Sequence, residues 1–324
     1  MRETKQHRKT APGIIALAAA MLLLLSCASK RPEGIYQVYT SKEGYDAMTS
    51  LYGTYLSKWP MPYREIDVET SWGTTHVIRT GLNRGKPVVV LHGAGSNAAL
   101  TCMPGIERDH AVYTIDIMGE PGKSVPRRIP GTPADVAGWL NEVLIGLALD
   151  RAVIIGMSYG GFTGQWFLHY YPDKVQGLVM ILYSYMDQSI PLGTFVKMTY
   201  YSIRNDDASV RAMMEVLNGG PVTDREAADL FAVHFRAVNE YCRQGRANPY
   251  TSVPAEGAQK VRVPVLIIMG ERDPLFDAKK AAAFCREIDN PHIRYEMIKG
   301  MGHLPFNHLE QVSGLVKSFL ERKV

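Results

Sequence analysis

A serine flanked by glycines stands at a predicted strand-to-helix corner near the middle of the chain. The pentapeptide Gly156-Met157-Ser158-Tyr159-Gly160 follows the apolar run 152–155 and precedes a helical pattern over 161–171. Side chains at positions 156 and 160 would clash in such a sharp turn, so both are expected to be glycine. The turn then lifts the hydroxyl of Ser158 clear of the backbone. A plain glycine-rich turn is the alternative interpretation of so short a motif.

Apolar runs of strand length alternate with amphipathic helical patterns on both sides of this corner. Strands are predicted at 63–70, 75–80, 87–91, 111–115, 151–155, 175–182, 263–269 and 292–298. Helices are predicted at 41–58, 133–149, 161–171, 278–288 and 309–322. The run 87–91 is apolar throughout, as in a strand buried on both faces, whereas the first two strands alternate like an edge hairpin. This order predicts an α/β fold with a mostly parallel sheet.

The alternation is interrupted between residues 187 and 259, where helical patterns at 208–217 and 224–242 have no buried strand between them. A helical cap that covers the ends of the strands is therefore predicted over 187–259. Apolar side chains in and next to this segment are candidates for a pocket wall, although core packing explains helical spacing equally well. These candidates are Tyr185, Met186, Phe195, Met198, Tyr200, Tyr201, Met213, Met214, Phe231 and Phe235.

The N-terminus has the pattern of an export signal. A basic stretch over 2–9 leads into an apolar stretch over 14–25, which is short for a membrane span but has the length of a signal core. It ends in Leu24-Leu25-Ser26-Cys27, which resembles the cleavage site of a bacterial lipoprotein. We expect residues 1–26 to be a signal peptide, Cys27 to carry the lipid, and 27–40 to tether the protein to a membrane of the cell envelope. An ordinary signal peptide and an uncleaved anchor are the alternatives.

Composition excludes several classes of protein. Charged residues make up 21% of the chain and the formal net charge is +4, with a basic excess at the N-terminus, so no nucleic-acid partner is predicted. Besides Cys27, the cysteines Cys102, Cys242 and Cys285 are widely spaced and form no C-x-x-C motif. We therefore expect no metal and no cofactor. The three cysteines are expected to be buried free thiols, although one disulfide between two of them is the alternative.

Two polar side chains follow predicted strands downstream of the serine. Asp273 comes after the strand 263–269, and His303 comes after the strand 292–298. Because a serine hydroxyl needs a base and the base needs an orienting carboxylate, Ser158, His303 and Asp273 are predicted to be catalytic. Other carboxylates could take the place of Asp273, namely Asp187, Glu271 and Asp277.

The loop after the strand 87–91 is the predicted oxyanion hole. It reads Leu91-His92-Gly93-Ala94-Gly95, and we expect the backbone amides of Ala94 and Tyr159 to bind a developing oxyanion. His92 is expected to brace the loop rather than to act as the base. A dinucleotide-binding glycine motif over 93–98 is the competing interpretation, but it would leave the serine, aspartate and histidine unexplained.

These motifs together resemble the α/β-hydrolase superfamily over about residues 60–322. The resemblance rests on the loop 91–95, Gly156 to Gly161, Gly270-Glu271-Arg272-Asp273 and Gly302-His303, and on a stretch from Asp116 to Ser124 whose glycines are spaced differently from the usual D-x-x-G-x-G-x-S. It implies an eight-stranded sheet with helices on both faces and a cap after strand six. The core would comprise 41–186 and 260–324, with the cap between them.

The resemblance also implies a mechanism. Ser158 would attack a carbonyl, His303 would transfer the proton, Asp273 would orient the imidazole, and water would release an acyl-enzyme. Small carboxylic esters with an apolar group are the expected substrates. The alternatives are a peptidase, a thioesterase, a C–C hydrolase, a cofactor-free perhydrolase or a non-catalytic surface binding module.

Overall fold

The computed structural model describes residues 34–321 except 83–84, 104, 130, 184–189 and 244–251. The predicted signal peptide, Cys27, Tyr185, Met186 and Asp187 therefore lie outside the described residues. Within the described part of the chain, none of the helices has both the length and the apolar character needed to cross a bilayer.

Eight strands form a single sheet in the order β1-β2-β4-β3-β5-β6-β7-β8. They are β1 (Tyr63–Thr70), β2 (Gly73–Thr80), β3 (Pro87–Leu91), β4 (Ala111–Ile115), β5 (Ala152–Met157), β6 (Val175–Ile181), β7 (Val265–Gly270) and β8 (Ile293–Ile298). The edge hairpin β1–β2 is antiparallel, and β2 pairs antiparallel with β4. The other neighbours are parallel. The predicted α/β fold with a mostly parallel sheet is confirmed.

Nine α-helices accompany the sheet in the described residues. They are α1 (Lys42–Leu56), α2 (Pro133–Gly146), α3 (Tyr159–Tyr170), α4 (Leu192–Arg204), α5 (Asp207–Asn218), α6 (Arg225–Tyr241), α7 (Ala255–Gln259), α8 (Ala278–Glu287) and α9 (Leu309–Glu321). Short 3-10 helices occupy Gly34–Gln37, Ala98–Leu100, Pro172–Lys174 and Phe306–His308. Helices α4 to α7 fall between β6 and β7. We call α4, α5 and α6 the inserted helices, since Ala258 of the short α7 packs in the core of the sheet.

The sheet carries a hydrophobic cluster on each face because alternate residues of a buried strand point in opposite directions. Val89 and Ile154 pack on one side against α2, α3 and α8. Val88 and Ile155 pack on the other side against α9. Each central strand thus contributes to both clusters, which is why strands such as β3 are apolar throughout.

One predicted helix ends earlier in the structure, and one helix of the structure was not predicted. The helix predicted over 133–149 ends at Gly146, where an added Cβ would lie 2.4 Å from Cγ1 of Val68 and where the chain soon turns through Ala148 at a φ of 56°. Leu147 and Leu149 continue the apolar pattern only because they pack against the core as a turn. Helix α4 was not predicted individually, since β-branched residues and Gly193 weaken its helical pattern.

Candidate active site

Ser158 occupies the turn between β5 and α3 in a backbone conformation that is rare for a residue with a side chain. Its φ is 48° and its ψ is −110°. The N–H of Ser158 donates to the carbonyl of Ile181 at 2.8 Å, and its carbonyl accepts from the N–H of Phe162 at 3.1 Å. The turn is thus held by the neighbouring strand on one side and by the first turn of α3 on the other.

Two glycines allow this turn to pack tightly. A Cβ added at Gly156 would lie 2.2 Å from the carbonyl oxygen of Gly160, and a Cβ added at Gly160 would lie 2.2 Å from that of Leu91. No side chain could occupy either position without moving the backbone. The close approach brings the loop after β3 beside the serine, with a Cβ added at Gly93 lying 3.6 Å from that of Ser158.

The structure brings Ser158, His303 and Asp273 into one hydrogen-bonded chain. His303 Nε2 lies 3.0 Å from Ser158 Oγ, and His303 Nδ1 lies 2.7 Å from Asp273 Oδ2. Because an ionised carboxylate can only accept, Nδ1 carries the proton and Nε2 is left to accept from the serine hydroxyl. The Asp273 side chain is fully buried, whereas that of His303 is 13% exposed. This arrangement suits proton transfer from the hydroxyl to the imidazole.

The competing carboxylates of the same loop have other partners. Glu271 accepts from the backbone N–H of Gly300 at 3.0 Å. Asp277 caps the N-terminus of α8, where it accepts from the N–H groups of Lys279 and Lys280. The second oxygen of Asp273 accepts from the N–H of Leu275, which fixes its orientation toward His303. Of the described carboxylates in this loop, Asp273 is the one in contact with the imidazole.

The loop that carries His303 is fastened to the end of α5. The N–H of Gly302 donates to the carbonyl of Asn218 at 3.1 Å, and the N–H of Leu304 donates to that of Leu217 at 2.9 Å. A Cβ added at Gly302 would lie 2.3 Å from the carbonyl oxygen of Leu217. The backbone on both sides of His303 is therefore held by an inserted helix, a contact that the sequence did not indicate.

His92 braces the loop after β3 with both ring nitrogens. Its Nε2 accepts from the N–H of Ile117 at 2.9 Å, so the proton is on Nδ1, which donates to the carbonyl of Gly93 at 2.8 Å. Complete burial lowers the pKa of His92, which keeps the imidazole neutral. Ala94 follows directly in the chain, and Tyr159 follows Ser158, so both predicted amide donors lie on backbone next to the serine.

Gly95 anchors the same loop to two other parts of the molecule. Its N–H donates to Oε2 of Glu120 at 2.6 Å, and its carbonyl accepts from Nε2 of His234 at 2.7 Å. The other ring nitrogen of His234 lies 3.3 Å from the hydroxyl of Tyr55. Burial lowers the pKa of His234 to about 4 and raises the pKa of Glu120 to about 7. The sequence analysis did not identify these three side chains. Glu120 lies in the stretch after β4, His234 lies on α6 and Tyr55 lies on α1.

Asp116 ties the end of β4 to the segment that follows the same loop. Its carboxylate accepts from the N–H of Ala98 at 2.7 Å, the hydroxyl of Tyr52 at 2.8 Å and the N–H of Lys123 at 3.0 Å, and it lies 3.0 Å from Nδ1 of His76. Burial alone would raise the pKa of Asp116, but the hydrogen bond from His76 and the other donors hold it below its usual value. The stretch from Asp116 to Ser124 is therefore organised around the buried carboxylate of Asp116.

The described candidates for a pocket wall differ in burial, with Met198 and Tyr201 half-buried on α4. Met213 and Met214 are buried, and Met214 packs in a cluster with Phe231 and Phe235. Phe195 and Tyr200 are exposed on α4. The clustered residues act as core between α5 and α6, and the exposed ones are not enclosed by the described residues.

The remaining reactive groups give no second site. Cys102, Cys242 and Cys285 are free thiols, and burial raises the pKa of each. No cluster of three or more potential metal ligands occurs among the residues that the structure covers.

Comparisons with known proteins agree with this fold. The model of the alpha/beta hydrolase family matches residues 88–315. The carboxylesterase named nap, described as uncharacterized, and the carboxylesterase YbfK, both of Bacillus subtilis strain 168, are each 27% identical. The first alignment covers 78% of this chain and 85% of the relative, the second 83% and 92%. The crystal structure of naproxen esterase from Bacillus subtilis aligns with a TM-score of 0.72 and 24% identity, over 90% of this chain and all of that one.

The family match spans most of the strands and the whole candidate site. The chain belongs to the alpha/beta hydrolase family, and it is a hydrolase.

Proposed function

We propose that this protein is a serine carboxylesterase. The observation that carries the proposal is the hydrogen-bonded chain from Ser158 through His303 to the buried Asp273, built on a strained turn at the edge where the parallel strands end. The similarity to two carboxylesterases over most of their length supports an ester as the substrate.

The proposed reaction proceeds through an acyl-enzyme. Ser158 Oγ attacks the ester carbonyl while its proton passes to His303 Nε2, and the imidazolium returns that proton to the departing alkoxide. Water then adds to the acyl-enzyme with His303 as base, releasing the acid and restoring the hydroxyl. Asp273 holds the imidazole in the required tautomer and stabilises its charge.

The proposed oxyanion hole consists of the backbone N–H groups of Ala94 and Tyr159. Donors fixed in advance beside the nucleophile stabilise the tetrahedral intermediate because they need not reorganise when charge develops. Three side chains support this role by holding the loop around Ala94 from different directions, namely His92, Glu120 and His234.

A fluorophosphonate probe tests the nucleophile directly. We expect one stoichiometric phosphonyl adduct on Ser158, and no adduct in Ser158→Ala, which should retain the wild-type melting temperature and lose about five orders of magnitude in kcat. Folded wild-type protein without an adduct would instead support a non-catalytic binding module.

A substrate panel tests the bond that is cleaved. p-Nitrophenyl esters of increasing acyl length should be hydrolysed with a kcat/KM well above that of matched amides and thioesters. A preference for the amide or the thioester would leave the serine mechanism in place and contradict the esterase proposal.

We also propose that the protein is exported and held at the membrane of a bacterial cell envelope by lipid on Cys27. The basic stretch, the apolar stretch and the Leu-Leu-Ser-Cys sequence at 24–27 support this proposal. The acyl chains would bury in the bilayer. The connection to the catalytic fold would then be residues 28–33, shorter than the tether predicted over 27–40, because Val38 and Tyr39 are buried in the fold.

A further inference from the structure

Helix α4 presents its apolar side chains to solvent. Leu192 and Ile203 are 77% and 79% exposed, and Phe195, Val196 and Tyr200 are each more than 40% exposed. None of the thirteen residues of α4 is buried. An amphipathic helix of a globular protein normally turns such side chains toward the core, so this exposure needs an explanation.

The exposed residues share one face of the helix. At 3.6 residues per turn, the five side chains fall within an arc of about 140°. Of the half-buried side chains, Thr194, Met198 and Tyr201 lie on the opposite side, Ser202 lies beside the arc and Thr199 lies within it, and α4 packs with α5. Within the described chain, α4 therefore packs through its other face, and the apolar arc remains exposed to solvent.

The charge of α4 favours a lipid surface over a second copy of the chain. The helix contains no acidic residue, and Lys197 and Arg204 lie beside the apolar arc. Arg204 is paired with Asp206, and among the described residues Lys197 forms no ion pair, so it supplies the positive charge of the face. A symmetric contact between two such faces would bring like charges together, whereas lipid headgroups that include anionic ones accommodate them.

The described chain begins close to the end of α4. The carbonyl of Tyr36 accepts from Nε of Arg243, just beyond α6. One turn earlier on the same helix, Asn239 donates to the side chain of Asn205, the residue that ends α4. The first described residues and the C-terminal end of α4 are thus both fastened to the last turns of α6.

The proposed anchor at Cys27 would place the end of α4 near a membrane, because the first described residues lie close to that end. Six residues lie between Cys27 and Gly34, so even a fully extended chain reaches only about 25 Å. A lipid on Cys27 would therefore hold this corner of the molecule close to the bilayer. We propose that the exposed face of α4 docks on the lipid surface beside the anchor, with its apolar side chains inserted at the boundary of headgroups and acyl chains. This inference rests on the proposed lipidation.

Hydroxyl-radical footprinting of the full chain in nanodiscs tests the docking. The discs would contain phosphatidylcholine with a minor fraction of phosphatidylglycerol and carry one copy of the protein each. We expect Phe195 and Tyr200 to be oxidised several-fold more slowly in the wild type than in the double variant Val196→Asp/Ile203→Asp. Tyr63 and Tyr170, which are exposed on other elements, serve as internal references and should be oxidised equally in both.

A matched control uses a strongly exposed isoleucine on another described helix. Ile145, on α2, is 60% exposed, and Ile145→Asp should leave the protection of Phe195 and Tyr200 unchanged. Equal oxidation of α4 in wild type and double variant would overturn the docking. Protection that required two copies per disc would overturn it in favour of self-association. If the wild-type chain did not stay with the disc, the proposals of the anchor and of the docking would both be wrong. None of these outcomes bears on the proposed ester hydrolysis.

Discussion

The strained backbone conformation of Ser158 is held by hydrogen bonds of its own N–H and carbonyl groups, and its side chain takes no part in them. A non-glycine residue at a φ of 48° and a ψ of −110° costs about 1–3 kcal/mol, which the surrounding backbone hydrogen bonds must offset. In return the hydroxyl stands where an imidazole from a distant loop can reach it. The strain is thus a local cost of presenting the nucleophile.

Glycine at this position should relieve the strain. We expect Ser158→Gly to be more stable than Ser158→Ala by about 1 kcal/mol, because glycine adopts the required backbone angles more freely. Urea unfolding of the two inactive variants measures the difference. A Ser158→Gly variant less stable than Ser158→Ala would mean that the turn is not strained and that chain entropy dominates.

Asp273 is expected to act by orienting His303 rather than by accepting a proton. Asp273→Asn keeps the shape but favours the wrong tautomer, so kcat toward a p-nitrophenyl ester should fall by about four orders of magnitude. Glu271→Gln and Asp277→Asn are the controls, since these carboxylates bind backbone elsewhere. We expect Asp277→Asn to retain kcat. A harmless Asp273→Asn would transfer the role to another carboxylate.

At the scale of elements, the inserted helices support the site from two directions. The end of α5 holds the backbone on both sides of His303, and α6 supplies His234 to the carbonyl of Gly95. The base and the loop of the predicted oxyanion hole therefore both depend on how these helices pack against the sheet.

His234 is expected to be a positioning residue. His234→Phe removes the donor to Gly95 and should lower kcat by about 10-fold to 100-fold with little change in KM, because a misplaced amide weakens stabilisation of the intermediate. His234→Gln, which retains a donor, should recover much of the loss. Steady-state kinetics with a soluble ester separates kcat from KM. A His234→Phe variant that raised KM alone would indicate a role in substrate binding instead.

The same histidine should make stability depend on pH. Its folded-state pKa of about 4 lies below the ordinary value of 6.5, so the unfolded chain binds a proton that the folded chain does not in the window between the two. Stability is therefore lost as the pH falls through that window. Between pH 7 and pH 5, the free energy of unfolding of His234→Gln should fall by about 2 kcal/mol less than that of the wild type, as measured by urea unfolding. Identical pH profiles would contradict a neutral buried His234.

At the scale of the whole molecule, the proposed lipid on Cys27 would decide where the hydrolase works. We expect Cys27→Ala to block lipid attachment, so that the mature protein loses the mass of its acyl chains and no longer fractionates with membranes. Intact-mass spectrometry and membrane fractionation of the producing cells measure both effects. Cys102→Ala, which changes a free thiol inside the fold, is the matched control. A Cys27→Ala protein that stayed in the membrane fraction would point to an uncleaved anchor.

The strands were predictable because each central strand is buried on both faces and must be apolar along its length. The helix ends were less so, since Leu147 and Leu149 continue the apolar pattern of α2 after the helix has ended. Helix α4 was missed because Gly193 and several β-branched residues lower its helix propensity, although its apolar residues recur on one face.

The sequence by itself determined the order of the strands and of the helices outside the insertion, and it placed Ser158, Asp273 and His303 at the ends of strands. It could do so because burial and turn chemistry act over a few residues. Only the tertiary structure decided that Glu120 and His234 bind Gly95, that Tyr55 contacts His234, and that the end of α5 holds the loop of His303. Those contacts join residues up to 179 positions apart through single hydrogen bonds, and a hydrogen-bonding side chain leaves no periodic signal in the chain.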